Sequence, residues 1–430
     1  MVDELKNKTS DKQNAPLAGR PQRSGPPRAN TDANVPSDNP VPSRPAGSQK
    51  GTTDSEAQRK VSKTAQEMHQ KKVGAVSKNV IVIKHGTLRE MIMCSGAFEA
   101  IRERHQDGRV TLLTTKGNAD LARQMGYFDD VWIDELPNMW SPLLSWKMRK
   151  EYKKRKITAV YDLEMSKRTE WYFRFLGREK PNWCGNLDWC SHPYLRPNAK
   201  WTYLSDRLAE QLFVANYDEV SLPHVDYLQG DISRFKETLP EDYVLLVPGT
   251  AKGREQDRWP LAEFIRMACW FGEAGTTPIF IGGKSDKNLV NKAVKIAGSK
   301  VEVMNLCSQT TLGEVKALAE GAMIAVGNDT APMSVISLSG CPSITLCQEP
   351  LLTVPVVDNN YIISAENLQE VLDDAVIAGI VELLELDKEE KEEQEAQEEA
   401  AMTDREKSLL DMKKRTAEEQ YIPPQKNKAE

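Results

Sequence analysis

Three segments of this chain place polar residues directly after a short apolar run, where a parallel α/β sheet presents the carboxyl ends of its strands to ligands. In the first, Ile81-Val82-Ile83-Lys84-His85-Gly86-Thr87-Leu88-Arg89-Glu90, Gly86 permits a tight turn and Glu90 stands at the start of the next helical run. A carboxylate there can act as a general base toward a hydroxyl. The plainer alternative is a first-turn acid that stabilises the positive end of a helix. In the second segment, 245–264, a strand ends in Pro248-Gly249-Thr250. A basic loop follows, then Trp259-Pro260 opens a helix. Lys252, Arg254 and Arg258 can offset phosphate charge, or belong to a solvated connection. In the third, 325–346, a strand ends in Gly327-Asn328-Asp329 and Thr330-Ala331-Pro332 opens a helix. Free N–H groups, a helix's positive end and the Thr330 hydroxyl suit a diphosphate. The alternative is an ordinary turn capped by Asp329 or Thr330.

The elements that must position these residues alternate. Strand-like runs at 79–85, Val110–Gly117 and 157–165 are interleaved with helical patterns, and between about 166 and 235 the pattern is looser and aromatic. A second alternation starts at 242–250 and continues through 277–283, Val301–Leu306, 323–329 and 342–348. Strand–helix alternation implies parallel sheets with crossover helices. The expected organisation is a tail over 1–77, an α/β domain over 78–235, a second over 236–385, and a charged tail over 386–430.

Composition narrows the class. The chain has 430 residues, 40% hydrophobic and 28% charged, with a formal net charge of −6. That balance suits a globular protein and gives no sign of nucleic-acid binding. No apolar run of about 18 residues is present, and the N-terminus shows no signal-peptide pattern, so a cytoplasmic protein is expected. The first 77 residues are rich in Pro, Ser, Asn and Gly and cannot bury enough apolar surface to order themselves. From about 382 onward charge dominates and a solvated helix or disordered tail is expected. The seven cysteines are odd in number and scattered, as in a reducing compartment. Cys184, Cys190 and His192 lack a fourth ligand at a usual spacing, so no metal site is expected.

Taken together, the motifs resemble a known family. KHGTLREMIMCSGAFEAIRE resembles its opening motif, and YDLEMSKRTEWYFRFLG its mid-domain segment. PGT…RWP, IFIGGKSD, NLCSQTTLGEVKALAEGAMIAVGNDTAPM and GCPSITL then follow in the family's order. The family is glycosyltransferase family nine, the ADP-heptose:lipopolysaccharide heptosyltransferases, and the resemblance covers about 78–375.

The resemblance implies a GT-B fold: two doubly wound, Rossmann-like domains facing a cleft. It implies an inverting, metal-independent transfer from an ADP-sugar, with heptose the family's sugar, to a lipopolysaccharide-type or other saccharide acceptor, and no cofactor beyond that donor. Glu90 falls at the catalytic base. Gly327, Asn328, Asp329 and Thr330 match the family's diphosphate loop, followed by Ala331, Pro332 and Met333. Thr250 matches a phosphate-contacting threonine and Asp286 falls near the ribose-binding acid, while Lys252, Arg254 and Arg258 join the donor site on charge alone. Three positions depart from the pattern. Arg89-Glu90 replaces Gly-Asp, Asp257 replaces a phosphate-binding lysine, and Ala331-Pro332-Met333-Ser334 replaces Gly-Pro-Met-His. Asp257 would repel a diphosphate unless Lys252, Arg254 or Arg258 compensates. The alternative is a catalytically silent GT-B-like protein that binds a nucleotide or glycan, or scaffolds partners.

One further segment carries a partner. Trp140, Leu143, Leu144 and Trp146 precede Lys147, Arg149, Lys150, Lys153, Lys154, Arg155 and Lys156. Aromatics beside a basic cluster over 140–156 suit an anionic membrane surface, which a glycolipid acceptor on the cytosolic face of the inner membrane would make useful. The alternative is a surface helix whose apolar residues pack on the domain and whose basic face is only solvated.

Overall fold

Val80-Ile81-Val82-Ile83 is a β-branched run, and it forms a strand buried from Val80 onward, β1 (Asn79–Ile83). In this computed structural model, residues 78–385 are described apart from 136–141, 179, 196–202, 251–253, 255–256 and 349–352. The tails over 1–77 and 386–430 therefore lie outside the described residues. By contact density the described chain divides into two units, one over 78–230 with 353–355, the other over 231–348 with 356–385.

In the N-terminal unit, α1 (Leu88–Met93) and α2 (Ser95–Arg104) follow β1. Then come β2 (Arg109–Thr114), α3 (Ala119–Gln124), β3 (Asp130–Ile133), α4 (Pro142–Arg155), β4 (Ala159–Asp162) and α5 (Lys167–Phe175). β5 (Asn182–Gly185), β6 (His192–Pro193) and α6 (Leu204–Val214) complete it. The strands form one parallel sheet in the order β3-β2-β1-β4-β5-β6. The stretch expected to be looser therefore supplies two strands. Four and two residues long, they are too short to show a period of two. Trp183 on β5 is fully buried against Phe173, with ring centroids 5.1 Å apart.

The C-terminal unit runs β7 (Tyr243–Val247), α7 (Leu261–Glu273), β8 (Thr277–Phe280), α8 (Lys287–Ala297), β9 (Met304–Asn305) and α9 (Leu312–Glu320). It continues with β10 (Ala325–Asn328), α10 (Ala331–Leu338), β11 (Ser343–Gln348) and β12 (Asn360–Ala365), and ends in a helix, α11, over 373–385. Its parallel sheet has the order β12-β11-β10-β7-β8-β9. Within the charge-rich stretch from about 382, part is folded. Leu383 and Leu384 are buried in the core with Ile380, so α11 belongs to the fold up to 385.

Both units are thus doubly wound α/β folds. Strand order reverses between β1 and β4 in one sheet and between β7 and β10 in the other. At such a switch point the loops diverge to opposite faces and leave a crevice at the strands' carboxyl ends. Each chemistry-bearing segment follows a strand beside one of these two reversals. Among the described residues no helix is long and apolar enough to cross a membrane. All seven cysteines are free, six of them buried.

Close packing makes one position in the first unit sensitive. A Cβ on Gly96 would lie 1.9 Å from the backbone oxygen of Ser221, which cannot swing aside. Gly96→Ala should cost at least the ~1–3 kcal/mol typical of overpacking. Urea unfolding reads this directly, and an unchanged midpoint would contradict the close approach.

Candidate active site

The centre of the N-terminal site is a buried ammonium. Lys84 follows β1 and is 2% exposed. Its Nζ lies 2.6 Å from Glu90 Oε2 and 3.0 Å from Glu164 Oε2. Glu164, just past β4, also accepts from the backbone N–H groups of His85 and Gly86, each at 3.2 Å. Glu90 is the third residue of α1 and closes a capping box. The Thr87 hydroxyl accepts from Glu90 N–H, and Glu90 Oε1 faces the N–H of Thr87 at 3.4 Å. The helix-start reading of Glu90 finds its counterpart in Oε1, while Oε2 faces Lys84. Gly86 does more than permit a turn. A Cβ there would lie 2.5 Å from Glu90 Oε2 and 2.9 Å from Lys84 Cε, so the ion pair occupies the space a side chain would need.

The electrostatics follow from this geometry. Burial opposes the charge on Lys84, but Cys94, Glu164 and Glu90 outweigh it, and the lysine pKa stands above its ordinary value. Burial pushes the Cys94 thiol up to about 12, so at neutral pH the two carboxylates are the charges that hold Lys84. Burial likewise opposes ionisation of Glu90 and Glu164, yet Lys84 and the hydrogen bonds around them hold both below the ordinary carboxylate value. The depressed carboxylates contribute stability that is present above about pH 4.3 and lost as pH falls through their folded values. The raised lysine contributes stability that is full below about pH 10.4 and lost as pH rises through its folded value.

A second polar group lies beside the first. His85 Nε2 is 3.1 Å from Asp134 Oδ2, within Coulombic reach but not aligned as a hydrogen bond. The Tyr172 hydroxyl donates to Asp134, and Arg168 Nη1 donates to that hydroxyl at 3.1 Å. Asp162, at the end of β4, is 1% exposed. Burial pushes its carboxyl up to about 7, against hydrogen bonds from Thr169 and Met165. Sequence alone does not single out Lys84, His85, Asp134, Asp162, Glu164 or Tyr172. The available signal was position, because all but Tyr172 end a strand or stand within two residues of its carboxyl end.

In the C-terminal unit the predicted residues converge on the ends of β7, β8 and β10. Asn328 is 1% exposed. Its Nδ2 donates to the carbonyls of Pro248 and Gly249 at 3.0 and 3.2 Å, and its Oδ1 accepts from Trp259 N–H at 2.9 Å. One amide thus ties β10 to the loop after β7 and to the start of α7. Asp286 Oδ2 accepts from Gly283 N–H at 2.8 Å. A Cβ on Gly249 would lie 2.6 Å from the Asp286 carboxyl, so that acid sits against the Pro248-Gly249-Thr250 turn. Thr330 caps α10 by accepting from Met333 N–H, and Ala331 and Pro332 begin the helix. Asp329, half-buried, donates its N–H to the Leu346 carbonyl at 2.9 Å.

Three of the expected donor residues serve the framework. The Asn328 amide is fully engaged within the protein. Gly327 and Met333 are both buried, and a Cβ on Gly327 would lie 2.6 Å from Met333 Sδ. Arg254 Nε lies 2.6 Å from Asp257 Oδ2, so Asp257 carries its own counterion and Arg254 is committed to it. Arg258 is half-buried and has no ion-pair partner among the described residues. Lys252 lies outside the described residues. Among those described, no three His, Cys, Asp or Glu side chains group as a metal cage would require.

Asn328→Ala would strip three buried backbone groups of their partner. An unsatisfied buried group costs about 1–3 kcal/mol. Chemical denaturation should therefore show a loss of at least ~2 kcal/mol. A change within ±0.5 kcal/mol, the ordinary range of surface substitutions, would contradict this role.

Comparison with known proteins agrees with the motifs. Residues 201–374 match the model of Glycosyltransferase family 9 (heptosyltransferase). No curated protein sequence matches. Among solved structures, a family 9 glycosyl transferase from Veillonella parvula DSM 2008 superposes with a TM-score of 0.59 at 18% identity, covering 71% of this chain and 97% of that one. The E. coli ADP-heptose lps heptosyltransferase II gives 0.56 at 15%, covering 72% and 99%. The E. coli heptosyltransferase WaaC with ADP gives 0.51 at 18%, covering 71% and 99%. These likenesses show the GT-B type fold. The resemblance read from the motifs is thus to the family whose model this chain matches over 201–374, Glycosyltransferase family 9 (heptosyltransferase).

Proposed function

We propose that this protein is an inverting glycosyltransferase that moves a sugar from a nucleotide-diphosphate sugar to a saccharide or glycolipid acceptor. The observation that carries the reading is Glu90. It is a carboxylate at the β1–β4 reversal, kept ionised by Lys84 and still 26% exposed in its side chain. In the proposed step Glu90 takes the proton of an acceptor hydroxyl as that oxygen attacks the anomeric carbon. The bond from that carbon to the diphosphate breaks, and the nucleoside diphosphate leaves from the opposite face.

The N-terminal unit takes the acceptor and the C-terminal unit the donor. The α10 amino end and Arg258 offset the charge of the departing diphosphate. Thr250, Asp286 and Asp329 lie around the same strand ends. The Arg254–Asp257 pair removes the repulsion a bare carboxylate would exert there, which favours an active site over a silent one. An ADP-sugar is the proposed donor, and the superposing WaaC structures contain ADP and ADP-2-deoxy-2-fluoro heptose. Heptose transfer to a lipopolysaccharide-type acceptor is the specific form of the proposal.

Glu90→Gln should lower turnover by a factor of about 100 or more, the typical effect of losing a positioned base, while leaving ADP affinity in calorimetry unchanged. Turnover equal to wild type at saturating acceptor would sink the assignment.

We propose further that α4 docks peripherally on an anionic membrane. Met148 and Tyr152 turn into the unit, while Trp146, Lys147, Arg149, Lys150, Lys153 and Lys154 are exposed. Trp146 is 62% exposed with Lys150 Nζ 4.8 Å from its ring centroid, so this aromatic does not pack on the domain as the surface-helix alternative requires. Trp140 lies outside the described residues, as do the side chains of Leu143 and Leu144. Co-sedimentation with vesicles should require anionic lipid, weaken with salt, and drop when Lys153, Lys154, Arg155 and Lys156 become Gln. Equal pelleting with neutral vesicles would contradict electrostatic docking.

A further inference from the structure

The Glu90 carboxylate shares its lysine with a second acid, and this has a consequence for the proton cycle. If Glu90 accepts a proton, its pairing with Lys84 ends. A 2% exposed ammonium would then stand without a counterion, and an unpaired buried charge is strongly destabilising. Glu164 removes that difficulty, because its Oε2 remains 3.0 Å from Nζ in the same pocket. The same Oε2 accepts from His85 N–H and Gly86 N–H, so it also fixes the turn from which Thr87 and Glu90 start α1.

We propose that Glu164 is a positioning residue for the transfer reaction: it anchors the turn that carries Glu90, and it remains the counterion of Lys84 while Glu90 holds the acceptor's proton. This rests on the reading of Glu90 as the base. In the step, the acceptor O–H bond breaks and an O–H bond forms on Glu90. Lys84 keeps all its protons and shifts its pairing to Glu164. The Lys84–Glu90–Glu164 group passes from one net negative charge to zero, and no buried ion is left alone.

Several charged or titratable groups surround the base. Lys84 and His85 follow β1, Cys94 lies between α1 and α2, and Asp162 and Glu164 stand at the end of β4 and just after it. Arg207 on α6 acts on Cys94. Of these, Glu164 raises the Glu90 pKa and Lys84 lowers it. Removing the charge of Glu164 should therefore deepen the depression of Glu90, whereas removing Lys84 should lift it.

The test separates charge from anchoring. In Glu164→Gln an amide oxygen can still accept from His85 N–H and Gly86 N–H, while the charge is gone. Glu164→Ala loses both. With glutamate carboxyls labelled with 13C, the Glu90 titration is followed by NMR in the ligand-free protein. Glu164→Gln should shift its midpoint to lower pH, and Lys84→Met should shift it to higher pH. In turnover, Glu164→Gln should lower kcat about tenfold and move the acidic limb of the kcat/KM profile down with the midpoint, as a weaker base requires. Glu164→Ala should in addition lower Tm. A Glu90 midpoint and limb unmoved in Glu164→Gln would overturn the proposal, even where Tm falls. The base reading fails separately: if Glu90→Gln keeps full turnover, Glu90 is not the base, whatever the midpoint in Glu164→Gln does.

Discussion

An ammonium group buried to 2% exposure needs negative charge beside it, and Lys84 is the constraint around which the N-terminal site is built. Its two carboxylates come from different parts of the chain. Glu90 arrives on α1 through the turn at Gly86, where the ion pair fills the space a side chain would take. Glu164 arrives after β4, which pairs in parallel with β1 and so brings the two strand ends together. Register, turn and charge thus depend on one another. Loss of the lysine would leave two acids facing each other. Loss of either acid leaves the ammonium with one partner, the arrangement a proton-accepting Glu90 must pass through.

The C-terminal unit solves a related problem with a neutral group. Three backbone groups, the Pro248 and Gly249 carbonyls after β7 and the Trp259 N–H before α7, would be buried without these partners, and the Asn328 amide at the end of β10 satisfies all three. An amide suits this position because it offers donors and an acceptor at once. That amide ties the end of β10 to Pro248, Gly249 and Trp259, and in the proposed reading the α10 amino end beside it is where a diphosphate meets backbone N–H groups.

The alternation of apolar runs with helical patterns makes both sheets legible in sequence, because buried parallel strands such as Val80–Ile83 and Val244–Val247 read as continuous hydrophobic stretches. β5, β6 and β12 are less legible. The first two are too short for periodicity, and β12 follows a stretch that carries no helical pattern of its own. The candidate site is legible where a motif is local. Glu90 is visible as a first-turn acid, and Gly327–Met333 as a strand-to-helix turn. What joins residues far apart is not visible. Glu164 lies 80 positions from Lys84, and nothing near either residue marks the pairing. Sequence spacing likewise does not reveal the framework roles that the Asn328 amide, Gly327 and Met333 have in the structure. Asp257 reads as a repulsive charge until Arg254 is seen beside it.

The most direct measurement of this account is the protonation of Lys84 itself, followed by the 15N shift of its Nζ across the alkaline range. The account predicts an ammonium that persists beyond the ordinary lysine value of about 10.4, and a titration that falls well below it when Glu90 and Glu164 are both replaced by Gln. A Lys84 that titrates at or below the ordinary value in the wild-type protein, or is unmoved by loss of both carboxylates, would contradict it.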